Sequence, residues 1–142
     1  MKILIFGLPE SGKTTLAKKL TKIFNCVHLN ADEIRELYND WDFSIEGRLR
    51  QANRMRLLSD EAVVSGKIVI ADFICPTEEA RKEFSADYLI WMDTIKKGPY
   101  EDTNKIFENP KSADFIVTKW KEDTPLEIEK EINKIIEKKK NV

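Results

Sequence analysis

Read for hydrophobic and polar positions alone, the chain alternates short apolar runs with stretches of helical period. Ile3-Leu4-Ile5-Phe6 is apolar at every position, the pattern of a strand buried on both faces of a parallel sheet. A helical stretch follows, with Leu16, Leu20, Ile23 and Phe24 on one face and Lys18, Lys19 and Lys22 off it. Cys26-Val27-His28-Leu29 predicts a second short strand, on which His28 reads as a packed or edge residue. A long helix is predicted from about Ile45 to Ser65, with Ile45, Leu49, Ala52, Met55, Leu58 and Ala62 as its buried stripe and Gly66 as its end. Ile68-Val69-Ile70-Ala71 is the clearest buried strand after the first, and Pro76-Thr77-Glu78-Glu79 opens a short helix to about Phe84. Asp87–Met92 and Ala113–Thr118 predict strands four and five. Thr124-Pro125-Leu126-Glu127 caps a final helix whose apolar face is Ile128, Ile132, Ile135 and Ile136 and whose solvated end is Lys138-Lys139-Lys140. Buried strands alternating with helices predict a parallel three-layer α/β fold in one domain, residues 1–142.

The chemistry sits where the pattern breaks after a strand. Between the first strand and its helix stands Gly7-Leu8-Pro9-Glu10-Ser11-Gly12-Lys13-Thr14, which fits G-x-x-x-x-G-K-(S/T), the phosphate-binding P-loop, and Thr15 continues it. Gly7 and Gly12 let the backbone curl until successive N–H groups point inward at an anion, and the helix beginning near Lys13 adds its positive end. Lys13 can reach the β- and γ-phosphates of a nucleotide triphosphate, and the Thr14 hydroxyl can ligate Mg²⁺. A glycine-rich turn that binds nothing needs neither that lysine nor that hydroxyl.

The second strand runs into Asn30-Ala31-Asp32-Glu33-Ile34-Arg35 at the sheet edge where open α/β folds place ligands. Two readings stand side by side. Asn30, Asp32 and Glu33 suit a capped helix start. Equally, Asp32 can face an acceptor hydroxyl as base or orienter, with Arg35 one turn on holding an acceptor anion. Asn39–Ser44 is a polar loop whose Trp41 and Phe43 can close over a flat base or merely anchor the loop. On the long helix Arg48 borders the stripe and is expected to point into a cleft, whereas Arg50 and Arg54 lie on another side. Asp72 ends the third strand, where an acidic residue can hold Mg²⁺ or its water. Cys75 follows, and a structural thiol is the expected reading. The segment of about twenty residues between strands four and five, roughly 93–112, is too long for a plain connection and reads as a lid, with Lys96, Lys97 and Lys105 as its cations.

Composition narrows the partners. A formal net charge of −1, with 42% hydrophobic and 35% charged residues, describes an ordinary globular chain with no bulk attraction to nucleic acid or anionic membrane. No apolar run approaches membrane-spanning length, the first strand starts at the first residues without space for a signal peptide, and Cys26 and Cys75 lack metal spacing. A cytoplasmic protein is the expectation, and a homodimer is allowed.

These stretches, in this order, resemble the adenylylsulfate (APS) kinase family. Its members read approximately G-L-x-G-x-G-K-(S/T)-T at the loop, L-D-G-D-N-(V/I)-R after strand two, G-F-S-x-x-x-R into a long helix, and F-I-S-P after strand three. The matching stretches are Gly7 to Thr15, Leu29 to Arg35, Asp42 to Arg48 and Phe73 to Pro76. The resemblance covers roughly the first 85 residues. It implies a P-loop kinase fold with five parallel strands in the order 2-3-1-4-5, MgATP as donor, and phosphoryl transfer to a hydroxyl of APS or a related anionic nucleotide. It carries a base-like role to Asp32, acceptor-anion contacts to Arg35 and Arg48, and aromatic packing on the acceptor to Phe43. Pro9, Glu10 and Ser11 fall with the loop's phosphate-binding positions.

The chain departs from the pattern mainly on the acceptor side. Asn30 replaces the family's first aspartate, Glu10 a loop glycine, Cys75 the serine of F-I-S-P, Gln51 a helix asparagine, and Asp72 a residue that is usually small. A D-P-K-x-L-Y stretch before the lid is missing, and Gly98-Pro99-Tyr100-Glu101 only faintly resembles S-P-Y-E. A kinase of another small molecule is therefore an alternative. So is a nucleic-acid-end kinase, with Arg48, Arg50, Arg54 and Arg56 as a phosphate track, although the mild acidity of the chain weighs against it. A GTPase-type switch is disfavoured further: no Asp-x-x-Gly follows the loop, and Asn104-Lys105 and Asn133-Lys134 lack the aspartate that reads guanine.

Overall fold

The apolar runs become strands and the periodic stretches helices, in the order β1 (Lys2–Phe6), α1 (Lys13–Ile23), β2 (Cys26–Asn30), α2 (Ala31–Tyr38), α3 (Ile45–Val64), β3 (Ile68–Asp72), α4 (Glu78–Phe84), β4 (Tyr88–Met92), α5 (Glu101–Ile106), β5 (Phe115–Val117) and α6 (Thr124–Lys140). The structure, a computed structural model, describes residues 1–141. The strands form one parallel sheet in the order β2-β3-β1-β4-β5, as the resemblance implies.

β1 is central and buried along its whole length, which is why Ile3 to Phe6 carry no polar side chain. Strand alternation sends its residues to two cores. Ile3 and Ile5 pack with Leu16, Leu20, Ile90, Ile128 and Ile132 beneath α1 and α6. Leu4 and Phe6 pack with Ile34, Met55, Phe73 and Phe84 beneath α2, α3 and α4. Each such side chain contributes ~1.5–3 kcal/mol when fully buried, so both helical layers are fastened to the same strand. Because the strands are parallel, the segments that follow β1, β2 and β3 emerge at one edge, and the functional residues meet there.

Two expectations are corrected. First, the buried stripe of α3 is as predicted only in its middle: Ala52, Met55 and Leu58 reach the core, but Ile45 is 80% exposed and Leu49 59% exposed, and Gly47, Gln51 and Ser59 are buried instead. The reason is that the first turns of α3 pack on the loop after α2 rather than on the sheet. Gly47 lies against Asp42, where an added Cβ would overlap the Asp42 backbone. Gln51 donates its amide to the Ala31 carbonyl at 2.9 Å. Only farther along do Ala52, Met55 and Leu58 reach the core. Second, β5 is shorter than Ala113–Thr118: it spans Phe115–Val117, and Asp114 just before it meets Leu89 twice, donating its backbone N–H to the Leu89 carbonyl at 2.9 Å and accepting the Leu89 N–H on its carboxylate at 2.8 Å. The stretch at 93–112, read as a lid, contains α5.

That stretch is tied down at its far end by Arg81 of α4. The buried guanidinium donates to the carbonyls of Cys75, Pro76 and Glu108 and stacks on the rings of Phe6 and Phe107.

Glycine in a helix is ordinarily improved by alanine, by up to about 1 kcal/mol. At Gly47 the sign should reverse. Gly47→Ala is expected to lose ~1–3 kcal/mol through overpacking against Asp42, read as a lower urea midpoint at unchanged slope. A raised midpoint would show that the 40–44 loop yields freely.

Candidate active site

The loop after β1 takes the shape its glycines allow. Gly7 sits at φ +156°, so close to β4 that an added Cβ would lie 2.8 Å from the Met92 carbonyl oxygen, and Gly12 at φ +100° leads into α1. Glu10 adopts φ +69° without being glycine, a conformation that is costly for a residue with a Cβ. Thr94 of the following β4 loop donates to the Ser11 carbonyl at 2.7 Å and braces the loop from outside. The Ser11 hydroxyl is buried, with no hydrogen-bond partner among the described residues.

Lys13 is folded back over this loop. Its side chain is buried and donates to the Leu8 carbonyl at 2.9 Å. Burial lowers its pKa from 10.5 to about 8, against the opposing pull of Asp72 and Asp32. Thr14, the next residue, donates its hydroxyl to Asp72 Oδ1 at 3.1 Å. Asp72 is only 2% exposed and is held on every side. Asn30 Nδ2 donates to both of its oxygens at 3.3 and 3.2 Å and to Thr14 Oγ1 at 3.1 Å. His28 Nε2 lies 2.5 Å from Asp72 Oδ2. Asn30 also caps α2, accepting from the Glu33 N–H at 3.0 Å, so the helix-start reading of 30–35 is correct as far as Asn30 goes.

Beyond the loop opens a cavity of about 800 Å³. Pro9, Glu10, Lys13 and Thr14 of the phosphate loop line it, with Asp72 bonded to Thr14; so do Arg35 and Arg48, which both stack on the Phe43 ring, and Asp32, which is near enough to act on both Lys13 and Arg35. Asp32 is exposed toward this space. Gly7, Ser11 and Gly12 shape the loop from behind, and Thr15 is exposed outside the cavity lining. Arg35 is buried, donates to the Asp40 and Asp42 carbonyls at 2.8 and 3.2 Å, and stacks 4.3 Å from the Phe43 ring. Burial is the main influence on its guanidinium and pushes its pKa down, with Asp40 opposing. Arg48 donates to the Phe43 carbonyl at 2.9 Å and to Thr103 Oγ1 of α5 at 3.1 Å, and lies 3.6 Å from Asp102.

The neighbouring arginines are committed elsewhere. Arg50 and Arg54 bind Asp40 at 2.7 and 2.9 Å, and their hydrogen bonds hold its carboxyl well below the ordinary range. Arg56 pairs with Asp60. Lys96 and Lys97, expected as lid cations, sit exposed beside Asp93 and Glu101, and Lys105 is exposed. Cys75 lines the cavity, but burial pushes its thiol up to about 12, as a structural thiol requires.

Magnesium takes oxygen ligands, often one or two from protein with the rest from phosphates and water. Thr14 Oγ1 and the Asp72 carboxylate form such a pair. Among the described residues no group of three or more His, Cys, Asp or Glu side chains is placed to hold an ion. The donor set therefore suits an ion that arrives with phosphates.

Three residues escaped the sequence reading. His28 was expected only to pack, and the partner it packs on is Asp72. The signal was its position two residues before Asn30, hence on the same side of β2. Thr103 and Asp102 belong to a short helix with no periodic signature.

The adenylylsulphate kinase family model matches residues 1–90 of the chain. The chain belongs to the adenylylsulphate kinase family. It is 37% identical to the adenylyl-sulfate kinase of Thermodesulfovibrio yellowstonii over 83 residues, 54% of this chain and 42% of that one. To the probable adenylyl-sulfate kinase of Aeropyrum pernix it is 32% identical over 84 residues, 53% and 44% of the two chains. The chain thus matches less than half the length of these relatives. The fold extends further than the sequence match: the Mycobacterium tuberculosis APS kinase solved with AMPPNP and APS superposes with a TM-score of 0.65 at 18% identity, over 96% of each chain.

The buried ammonium of Lys13 has a measurable consequence. The folded chain releases this proton near pH 8 and the unfolded chain near 10.5, so between these values the unfolded state binds more protons and stability rises with pH. Lys13→Met should therefore stabilise the ligand-free protein at pH 7, by up to about 3 kcal/mol, with the difference fading above pH ~10. Urea titrations at pH 7, 9 and 10.5 measure it. A variant less stable than the parent at pH 7 would mean that the bond to Leu8 outweighs the desolvation.

Proposed function

We propose that this chain is an ATP-dependent phosphotransferase acting on a hydroxyl of a small acceptor, with APS or a related anionic nucleotide as that acceptor. The observation that carries the reading is the cavity with two unlike walls: a phosphate loop bearing Lys13 and Thr14 on one, and the Arg35–Phe43–Arg48 cluster on the other. Family membership supports it.

In this reading the loop's inward N–H groups and Lys13 bind the β- and γ-phosphates. Thr14 and Asp72 hold the nucleotide's Mg²⁺, which supplies charge neutralisation when bound. Asp32 is exposed to the cavity and has room to receive a hydroxyl. Asp72 is enclosed by Thr14, Asn30 and His28, an arrangement suited to the metal side rather than to taking a proton from a mobile acceptor. The acceptor oxygen attacks the γ-phosphorus as the bond to the β,γ-bridging oxygen breaks. The hydroxyl proton passes to Asp32 and ADP leaves with the bonding electrons. Arg35 and Arg48 hold the acceptor's anionic group, and Phe43 offers a face for its base. The segment 93–112 acts as a lid, keeping water from the γ-phosphate. Among the described residues no helix is long and apolar enough to cross a membrane, and we place the enzyme in the cytoplasm.

Lys13→Ala should abolish phosphoryl transfer while leaving a folded protein. Asp32→Asn should lower kcat by about 10²–10⁴-fold with little change in ATP affinity. A larger loss of kcat in Asp72→Asn would reverse the two roles.

Acceptor choice is tested separately, by steady-state kinetics with APS beside a panel of nucleoside mono- and diphosphates. Gln51 and Cys75 alter the acceptor side, while Asn30 bonds to Thr14 and Asp72 on the metal side, so APS should be used with kcat/KM below about 10⁴ M⁻¹s⁻¹ and another anionic nucleotide should be used better. Efficient APS turnover would show that these replacements are tolerated. No ATP consumption with any acceptor would overturn the reading.

A further inference from the structure

The phosphotransfer reading leaves His28 without a task, although it is the only histidine of the chain and touches the most enclosed carboxylate of the site. Its side chain is 15% exposed, and alternation along β2 puts it on the same side as Asn30. The parallel register sets Asn30 opposite Asp72, and His28 reaches Asp72 from one step farther back along the strand.

The two oxygens of Asp72 are thereby divided. Oδ1 accepts from Thr14 and Asn30, and Oδ2 accepts from Asn30 and lies against His28 Nε2. A carboxylate only accepts hydrogen bonds, so the imidazole presents Nε2–H to it. Without His28 the Asn30 amide alone, at 3.2 Å, would hold Oδ2, and the carboxylate could turn about its Cβ–Cγ bond. With it, Oδ1 stays on Thr14. The Thr14 proton is then fixed toward Asp72, and its oxygen accepts from Asn30 Nδ2.

We propose that His28 is a positioning residue for the divalent ion of the bound nucleotide: by pinning Oδ2 of Asp72 it aims Oδ1 and, through it, the Thr14 hydroxyl. The inference rests on the phosphotransferase reading. Outer groups that orient metal ligands typically change metal affinity by about 10–100-fold when removed.

The test is ADP binding by calorimetry, without Mg²⁺ and across a Mg²⁺ titration, with thermal unfolding recorded for each variant. His28→Phe fills the space without the donor, and His28→Ala replaces it where the phenylalanine variant does not fold. His28→Gln keeps an N–H near the position of Nε2. Removal should raise the Mg²⁺ concentration that half-saturates the effect on ADP binding at least about tenfold, while Mg²⁺-free ADP binding changes less than about twofold. His28→Gln should return it to within about threefold of the parent. A purely packing role would lower the unfolding temperature and leave the Mg²⁺ requirement in place. That outcome, an equal loss of ADP binding with and without Mg²⁺, or failure of folded His28→Gln to recover would overturn the inference. A parent protein that binds MgADP while the variants match it sinks this inference alone. A parent protein that binds no ADP sinks the phosphotransferase reading and this inference with it.

Discussion

A buried carboxylate at the edge of a parallel sheet is the constraint around which this site is arranged. Removing Asp72 from water costs several kcal/mol unless donors replace the water it loses. Three residues on two elements supply them: Thr14 from the start of α1, and His28 and Asn30 from β2. Satisfying Asp72 therefore fixes the distance between the phosphate loop, β2 and β3 in one stroke. The buried position of β1, which fastens both helical layers, provides the rigid floor on which this arrangement can persist.

The two walls of the cavity are built on different principles. The phosphate-loop wall is mostly backbone, shaped by Gly7, Gly12 and the left-handed Glu10 and braced by Thr94. The opposite wall is made of long cationic side chains whose positions are set by carbonyl groups: Arg35 on Asp40 and Asp42, Arg48 on Phe43. A wall held by backbone tolerates few substitutions at its glycines. A wall held by side chains can be re-specified residue by residue, yet the departures from the family pattern fall on both sides: Gln51 and Cys75 line the cavity, whereas Asn30 and Asp72 bond to each other beside Thr14.

Much of the fold was legible because its strands carry an unambiguous signal. Ile3–Phe6 and Ile68–Ala71 can be little other than buried strands, and the phosphate loop between β1 and α1 announces itself by spacing. The face of α3 was legible only in part: Met55 is inward as its apolarity suggests, but so are Gly47, which closes on Asp42, Gln51, which bonds to Ala31, and the small Ser59. Leu49 and Ile45 then look like core and are not. The acidic pair was readable as two candidates, Asp32 and Asp72, but sequence spacing does not report which one is enclosed. His28 was invisible for a related reason: its meaning lies in a cross-strand partner 44 residues away.

The tether of Arg48 to α5 makes one guanidinium serve both the lining of the cavity and the segment that carries Thr103. An anion that engages Arg48 from the cavity draws on donors that also hold Thr103. Any preference of the anion for the loosened or the fastened segment must appear, with equal size, as a preference of that segment for the filled or the empty cavity. The same side chain is in this sense a thermodynamic exchange point between occupancy and enclosure, and neither can be tuned at Arg48 without retuning the other.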